Sequence, residues 1–163
     1  MTRALIPGSF DPPTRGHLEV IDRCSALFSE VLVAVADNSA KNYWFSRAER
    51  MRLLGECVSH LSNVKVVQID GLVASWCADE GVDVIVKGVR SAADFDYELT
   101  QATMNRELTG VQTVWLPSAP VFAHVSSTMV KEVARYGGDI SSLVTDPVAH
   151  AVWQLVSPAE GKE

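Results

Sequence analysis

Strand-length apolar runs alternate with stretches of helical periodicity along almost the whole chain, and this alternation narrows the possible folds more than any other feature. Residues 31–36 form an unbroken apolar run rich in β-branched valine, as expected of a strand buried on both faces. Residues 4–6, 64–69, 82–86 and 113–116 read as four further strands. The segments between carry apolar residues at helical spacing: Leu18, Ile21 and Cys24 in the first, Met51, Leu54, Val58 and Leu61 in the second. Helices are also expected over residues 72–80, over 94–108, from 126–128 to Tyr136, and over 146–156. Ser46-Arg47-Ala48-Glu49 has capping-box spacing. Gly81 and Gly110 suit helix stops. Asp146-Pro147 reads as an N-cap with proline at the first helical position. Strands alternating with helices predict an α/β fold: a single-domain, Rossmann-like, doubly wound parallel five-stranded sheet with helices on both faces. Residues 1–156 make that domain, and residues 157–163 a flexible C-terminal tail.

The 163 residues suffice for one domain. The formal net charge is −6, whereas a general nucleic-acid binder carries a basic surface. No nucleic-acid partner is expected, and any polyanionic ligand must be held by a few placed cations. No apolar run approaches the roughly 20 residues of a spanning helix. The N-terminus lacks the h-region of a signal peptide, so a cytoplasmic protein without membrane association is expected. Cys24, Cys57 and Cys77 form neither a C-x-x-C pair nor a disulfide framework. Each falls in a helical stretch and reads as a small buried hydrophobe. His60 and His150 read as surface or helix-end residues. With no His/Cys/Asp cluster at ligand spacing, no tightly held metal is expected.

In such a sheet, ligands bind beyond the carboxyl ends of the strands, and the unusual residues fall there. Gly8-Ser9-Phe10-Asp11-Pro12-Pro13-Thr14-Arg15-Gly16-His17 follows the first strand and opens the first helix. Gly8 permits close backbone approach, and Ser9 offers a hydroxyl and an N–H. Gly16-His17 stands at a helix start, where free N–H groups favour phosphate. A histidine there can donate to a phosphate oxygen as charge builds in a transition state; the plainer alternative is a proline-rich turn with a capping histidine. Lys41 follows the second strand. Lys87-Gly88-Val89-Arg90 closes the fourth, two cations bracketing a glycine that allows a tight turn. A lone lysine or arginine is usually a solvated charge, but three strands that each deliver a cation or a phosphate-binding turn to one edge suit a triphosphate. Phe122-Ala123-His124-Val125-Ser126-Ser127-Thr128 precedes a late helix and offers three hydroxyls where capping needs one.

The stretch from Gly8 to His17 resembles the G-[ST]-F-D-P-x-x-x-G-H motif of the nucleotidyltransferase superfamily, whose members carry H-x-G-H or T-x-G-H at its end; here that tetrapeptide is Thr14-Arg15-Gly16-His17. Lys87-Gly88-Val89-Arg90, followed by Asp94-Phe95-Asp96-Tyr97-Glu98 and by Met104-Asn105-Arg106, is similar to blocks of the phosphopantetheine adenylyltransferases. The likeness runs from the first strand to the last helix. The loop before the late helix departs from that family: Ala123 replaces a hydroxyl residue, His124 an aromatic, and Val121 a larger side chain. Nicotinate mononucleotide adenylyltransferases share the first motif and a serine-serine-threonine helix start, but the Lys87–Arg90 and Asp94–Glu98 blocks argue against them. A catalytically silent nucleotide-binding module and a flavodoxin-like electron carrier are the readings from other classes; neither has a reason to keep His17 and the strand-end cations.

The resemblance implies an enzyme of coenzyme A biosynthesis. Such an enzyme transfers the adenylyl group of ATP to 4′-phosphopantetheine and releases 3′-dephospho-coenzyme A and pyrophosphate, by direct attack without a covalent enzyme intermediate. It implies catalytic roles for His17, Lys41 and Arg90. ATP would meet Ser9, Phe10, His17, Gly88, Val89, Arg90, Glu98 and the seven residues from Phe122 to Thr128. The acceptor would meet Ser9, Lys41, Val73 and Lys87. Mg2+ would arrive with ATP. The resemblance further implies a homohexamer, a dimer of trimers, and feedback binding of coenzyme A.

Overall fold

The computed structural model describes residues 2–38 and 40–157, so the expected tail beyond Ser157 lies outside the described residues. Five strands, β1 (Arg3–Gly8), β2 (Glu30–Ala36), β3 (Val64–Ile69), β4 (Val84–Val89) and β5 (Gln112–Pro117), form one parallel sheet in the order β3-β2-β1-β4-β5. Helices α1 (Arg15–Leu27), α2 (Arg47–Val58), α3 (Val73–Asp79) and α4 (Ala92–Thr109) cross between successive strands. A short 3₁₀ turn (Pro120–Phe122) leads to α5 (Ser127–Arg135), and α6 (Asp146–Val156) closes the described chain. The expected doubly wound sheet is therefore present.

The period of two along β2 divides the core. Val31, Val33 and Val35 pack with Ile21, Cys24, Leu54 and Val58 on the α1 and α2 side. Leu32 and Ala34 turn to the opposite face, against Ala74 and Cys77 of α3. A third cluster joins Leu53 of α2 to Val130 of α5 and Val148 and Val152 of α6. Trp153 is half-buried against it. Burial pushes the Cys24 and Cys77 thiols up to about 11, in keeping with inert core residues.

Several boundaries differ from expectation for local reasons. β4 does not stop at Val86. Its ladder with β5 continues through Lys87↔Trp115, Gly88↔Leu116 and Val89↔Pro117, so Lys87 and Gly88 belong to the strand and Arg90 is the first residue beyond it. Ser91 caps α4 by accepting the Asp94 N–H (3.2 Å), which begins the helix ahead of the expected start. Thr145, not Asp146, is the N-cap of α6, which moves Pro147 one position further in. A proline is tolerated there because N–H groups of the first turn have no intrahelical acceptor. At α2 only half of the expected capping box forms. Ser46 accepts the Glu49 N–H (3.2 Å), while the Glu49 carboxylate pairs with Arg52 (2.6 Å).

Candidate active site

The strand order turns at β1, whose neighbours β2 and β4 continue in opposite directions, and this leaves a crevice at the carboxyl ends of β1 and β4. A cavity of about 490 Å³ occupies it, floored by residues 6–8 and 86–88 and walled by the starts of α1, α4 and α5. Two glycines let backbone and side chains meet closely there. A Cβ on Gly8 would stand 2.9 Å from the Phe10 ring, and one on Gly88 would stand 2.9 Å from Val20 Cγ2. Phe10 adopts φ 50, a left-handed conformation uncommon outside glycine. Its buried ring meets the His17 ring edge-on, with centroids 5.0 Å apart.

His17 is the third residue of α1, and its helix start has a full capping box. The His17 N–H donates to Thr14 Oγ1 (3.3 Å), and the Thr14 N–H donates to His17 Nδ1 (3.0 Å). A backbone N–H can only donate, so Nδ1 must be unprotonated and the ring hydrogen of the neutral imidazole sits on Nε2. The side chain lines the cavity. Burial, then the charges of Arg90 and Lys41, lower its pKa from 6.5 to about 4. At neutral pH the residue is thus a neutral Nε2–H donor held in one tautomer.

This shift has a consequence for stability. A histidine with a depressed folded pKa binds fewer protons folded than unfolded between the two values, so its contribution is fully present above about 6.5 and is lost as pH falls through about 4. The unfolding midpoint of the wild type should therefore drop more between pH 7 and pH 4.5 than that of His17→Gln, which shares every carboxylate. Parallel pH curves for the two proteins would show that His17 titrates normally.

Cations surround the cavity. Lys87 Nζ lies 3.1 Å from Glu98 Oε2, both mostly buried. Arg90 pairs with Asp94 (3.0 Å) and donates to the Val125 carbonyl (3.2 Å), tying the start of α4 to the loop before α5. Lys41 reaches in from the loop after β2. The three hydroxyls before and within α5 have separate placements. Ser126 caps the helix through the Met129 N–H (3.2 Å), Ser127 Oγ donates to the Pro12 carbonyl (2.8 Å), and Thr128 lines the cavity.

The fold brings Phe10, His17, Lys41, Lys87, Gly88 and Arg90 to this cavity, together with Glu98, Val125, Ser126, Ser127 and Thr128. Ser9 lines an adjoining hollow of about 250 Å³ that shares Phe10, His17, Lys41, Ser127 and Thr128. Val73, Val89, Phe122, Ala123 and His124 line neither. Val73 is half-buried at the start of α3, and Ala123 and His124 are exposed. Thr14, Asp11 and Lys131 were given no role of their own from the sequence. Thr14 sets the tautomer of His17. Asp11 is 3 % exposed and accepts from the Trp44 N–H (2.9 Å), the Phe45 N–H (2.9 Å) and Lys131 Nζ (2.9 Å). Thr14 could have been found from its N-cap spacing to His17; nothing local to Asp11 points to partners so far away in the chain.

Comparison with known proteins agrees with this geometry. Residues 5–133 match the cytidylyltransferase-like family model. A phosphopantetheine adenylyltransferase from Paenarthrobacter aurescens is 53 % identical over 161 residues, covering 98 % of this chain and 97 % of its own. One from Frankia alni is 51 % identical over 152 residues, covering 91 % and 94 %. Among solved structures, a Vibrio parahaemolyticus protein described as a nicotinate-nucleotide adenylyltransferase shares the fold at TM-score 0.67 and 21 % identity, covering 94 % of this chain and 93 % of its own. The family match over residues 5–133, on a parallel sheet with its switch point at β1, defines the class: the chain is a nucleotidyltransferase of the cytidylyltransferase-like family. Within that class it belongs to the phosphopantetheine adenylyltransferases.

Proposed function

We propose that the chain joins the phosphate of 4′-phosphopantetheine to the α-phosphorus of ATP. The observation that carries this reading is a neutral Nε2–H donor, His17, in a cavity lined by Lys41, Lys87 and Arg90 at the β1/β4 crevice. An acceptor-phosphate oxygen bonds to the α-phosphorus as the bond from that phosphorus to the bridging oxygen of pyrophosphate breaks in line. Dephospho-coenzyme A and pyrophosphate result. The attacking phosphate is already anionic, so no protein nucleophile is required, and catalysis rests on positioning and charge stabilisation. His17 donates to the α-phosphate as charge builds, and Lys41 and Arg90 balance that charge.

Ser9, Lys41 and Lys87 hold the acceptor phosphate, with Val73 beside the pantetheine arm. To do so, the phosphate takes Lys87 over from Glu98. Ser9-Phe10, residues 88–90, Glu98 and residues 122–128 serve ATP. Mg2+ belongs to the nucleotide in this reading and neutralises its phosphates. Asp94 and Glu98 are the carboxylates lining the cavity, and both are engaged with cations. They fit an ion held mainly by phosphate oxygens and water.

Self-association as a hexamer and feedback by coenzyme A belong to the same reading. The former is supported by α4, which has no fully buried residue along its 18 positions and exposes Tyr97, Met104 and Leu108. No helix among the described residues is long and apolar enough to cross a membrane.

The test is pyrophosphate release with ATP, magnesium and 4′-phosphopantetheine, run beside nicotinate mononucleotide and glycerol phosphate. Release with phosphopantetheine alone is expected; release with another acceptor, or with none, overturns the assignment. Lys41→Ala should raise the KM for phosphopantetheine more than that for ATP in steady-state kinetics. The reverse order would move Lys41 to the nucleotide.

A further inference from the structure

Arg50 lies on α2, is 1 % exposed and lines neither cavity. A buried guanidinium is costly unless its donors are met, and here they go to separate parts of the chain. Nη1–H donates to the Ser9 carbonyl (2.8 Å), Nε–H to the Phe45 carbonyl (3.3 Å) and Nη2–H to Asp37 Oδ1 (2.5 Å). Its carbon Cζ sits 4.2 Å from the centre of the Tyr43 ring, a stacking geometry favourable to arginine. The Tyr43 hydroxyl in turn accepts the Asn38 N–H (2.5 Å) and donates to the Asn38 carbonyl (3.3 Å).

These contacts have one geometric result. The segment from Asp37 to Phe45 carries Lys41, and Arg50 grips it at Asp37 on one side and at Tyr43 and Phe45 on the other. The same side chain holds the backbone of Ser9, on the neighbouring loop after β1. Ser9 and Lys41 come from different strands, and an acceptor phosphate must find both at once. A misplacement of about 1 Å in such a pair costs on the order of 100-fold in rate.

We infer that Arg50 is a positioning residue for the acceptor phosphate, a buried guanidinium that fixes the Lys41 loop relative to Ser9 without touching substrate. The inference rests on the acceptor site proposed above. A lysine at this position keeps the charge but cannot reach three acceptors from a planar fork.

The experiment is a double-mutant cycle of Arg50→Lys and Lys41→Ala, with kcat and both KM values read from pyrophosphate release and folding checked by thermal melts. Arg50→Lys should raise the KM for phosphopantetheine about tenfold and change that for ATP less than about twofold. In the Lys41→Ala background it should add little, because residues acting as one unit are not additive. Equal rises in both KM values, or an effect that persists in full without Lys41, would show a general structural role and overturn the inference. If Arg50→Lys does not fold, Asp37→Asn goes through the same cycle, since Asp37 is partly exposed and its loss leaves both carbonyl partners in place. The same split and the same non-additivity are expected, and additivity overturns the inference equally. The wild type run alongside separates the two levels. Wild-type release with an additive cycle removes only the role of Arg50, whereas no wild-type release removes the reaction and this role together.

Discussion

Replacing His17 by alanine should lower turnover by about 100- to 1,000-fold, a loss of roughly 2.7–4 kcal/mol of transition-state stabilisation. The magnitude is that of removing one preorganised donor from a site where charge develops. His17 qualifies because its orientation is settled before substrate arrives: the Thr14 N–H occupies Nδ1 and leaves the hydrogen on Nε2. The fold should survive, for Thr14 Oγ1 accepts the backbone N–H of residue 17 whatever side chain stands there. The measurement is kcat under saturating ATP and phosphopantetheine, with a melt to confirm folding. Turnover within about threefold of the wild type would remove His17 from the chemistry, since a preorganised donor of this kind is worth 100-fold or more. His17→Asn or Gln should remain strongly impaired, because an amide does not reproduce the reach of an imidazole held by its far nitrogen.

Asp11→Ala should be the most destabilising single change near the site, by about 3–5 kcal/mol. The Asp11 carboxylate is buried and joins three parts of the chain: its own turn after β1, the Trp44–Phe45 backbone before α2, and Lys131 on α5. Its removal leaves two backbone N–H groups and an ammonium group without their acceptor, and unmet polar groups cost their full desolvation. For a chain of this size, each kcal/mol lowers the melting temperature by roughly 2–4 °C, so a drop of about 6–20 °C is expected. Asp11→Asn keeps an acceptor oxygen and loses the charge, so it should cost less. The check is a pair of denaturant titrations with a common slope. Asp11→Ala within about 1 kcal/mol of the wild type would show that this clip does not hold the fold.

These two residues stand six positions apart in one motif and differ in how legible they were. His17 was visible because its features are local: a histidine at a helix start, after a strand, behind Gly16. Asp11 reaches partners 33, 34 and 120 residues away, and no window of sequence contains them. The cations divide in the same way. Lys41, Lys87 and Arg90 were placed at strand ends by periodicity. That Lys87 pairs with Glu98 follows from α4 folding back over β4, and that Arg90 reaches the Val125 carbonyl follows from the loop before α5 returning to the end of that strand. The Phe122–Thr128 loop was read as a unit of seven, yet only its last four residues face the cavity, because the 3₁₀ turn directs Phe122 toward the α5–α6 cluster and leaves Ala123 and His124 in solvent.

What the sequence determined by itself was the set of elements and the chemistry at their ends. Strand and helix periods and helix caps are interactions among residues a few positions apart, and those are written in order along the chain. What only the tertiary structure decided was the order of strands in the sheet, and with it which ends share a crevice. It also decided the tautomer of His17, the buried clip of Asp11 and the grip of Arg50 on two loops. Each of these depends on groups desolvated together, and desolvation is a property of the packed molecule that no local stretch of residues carries.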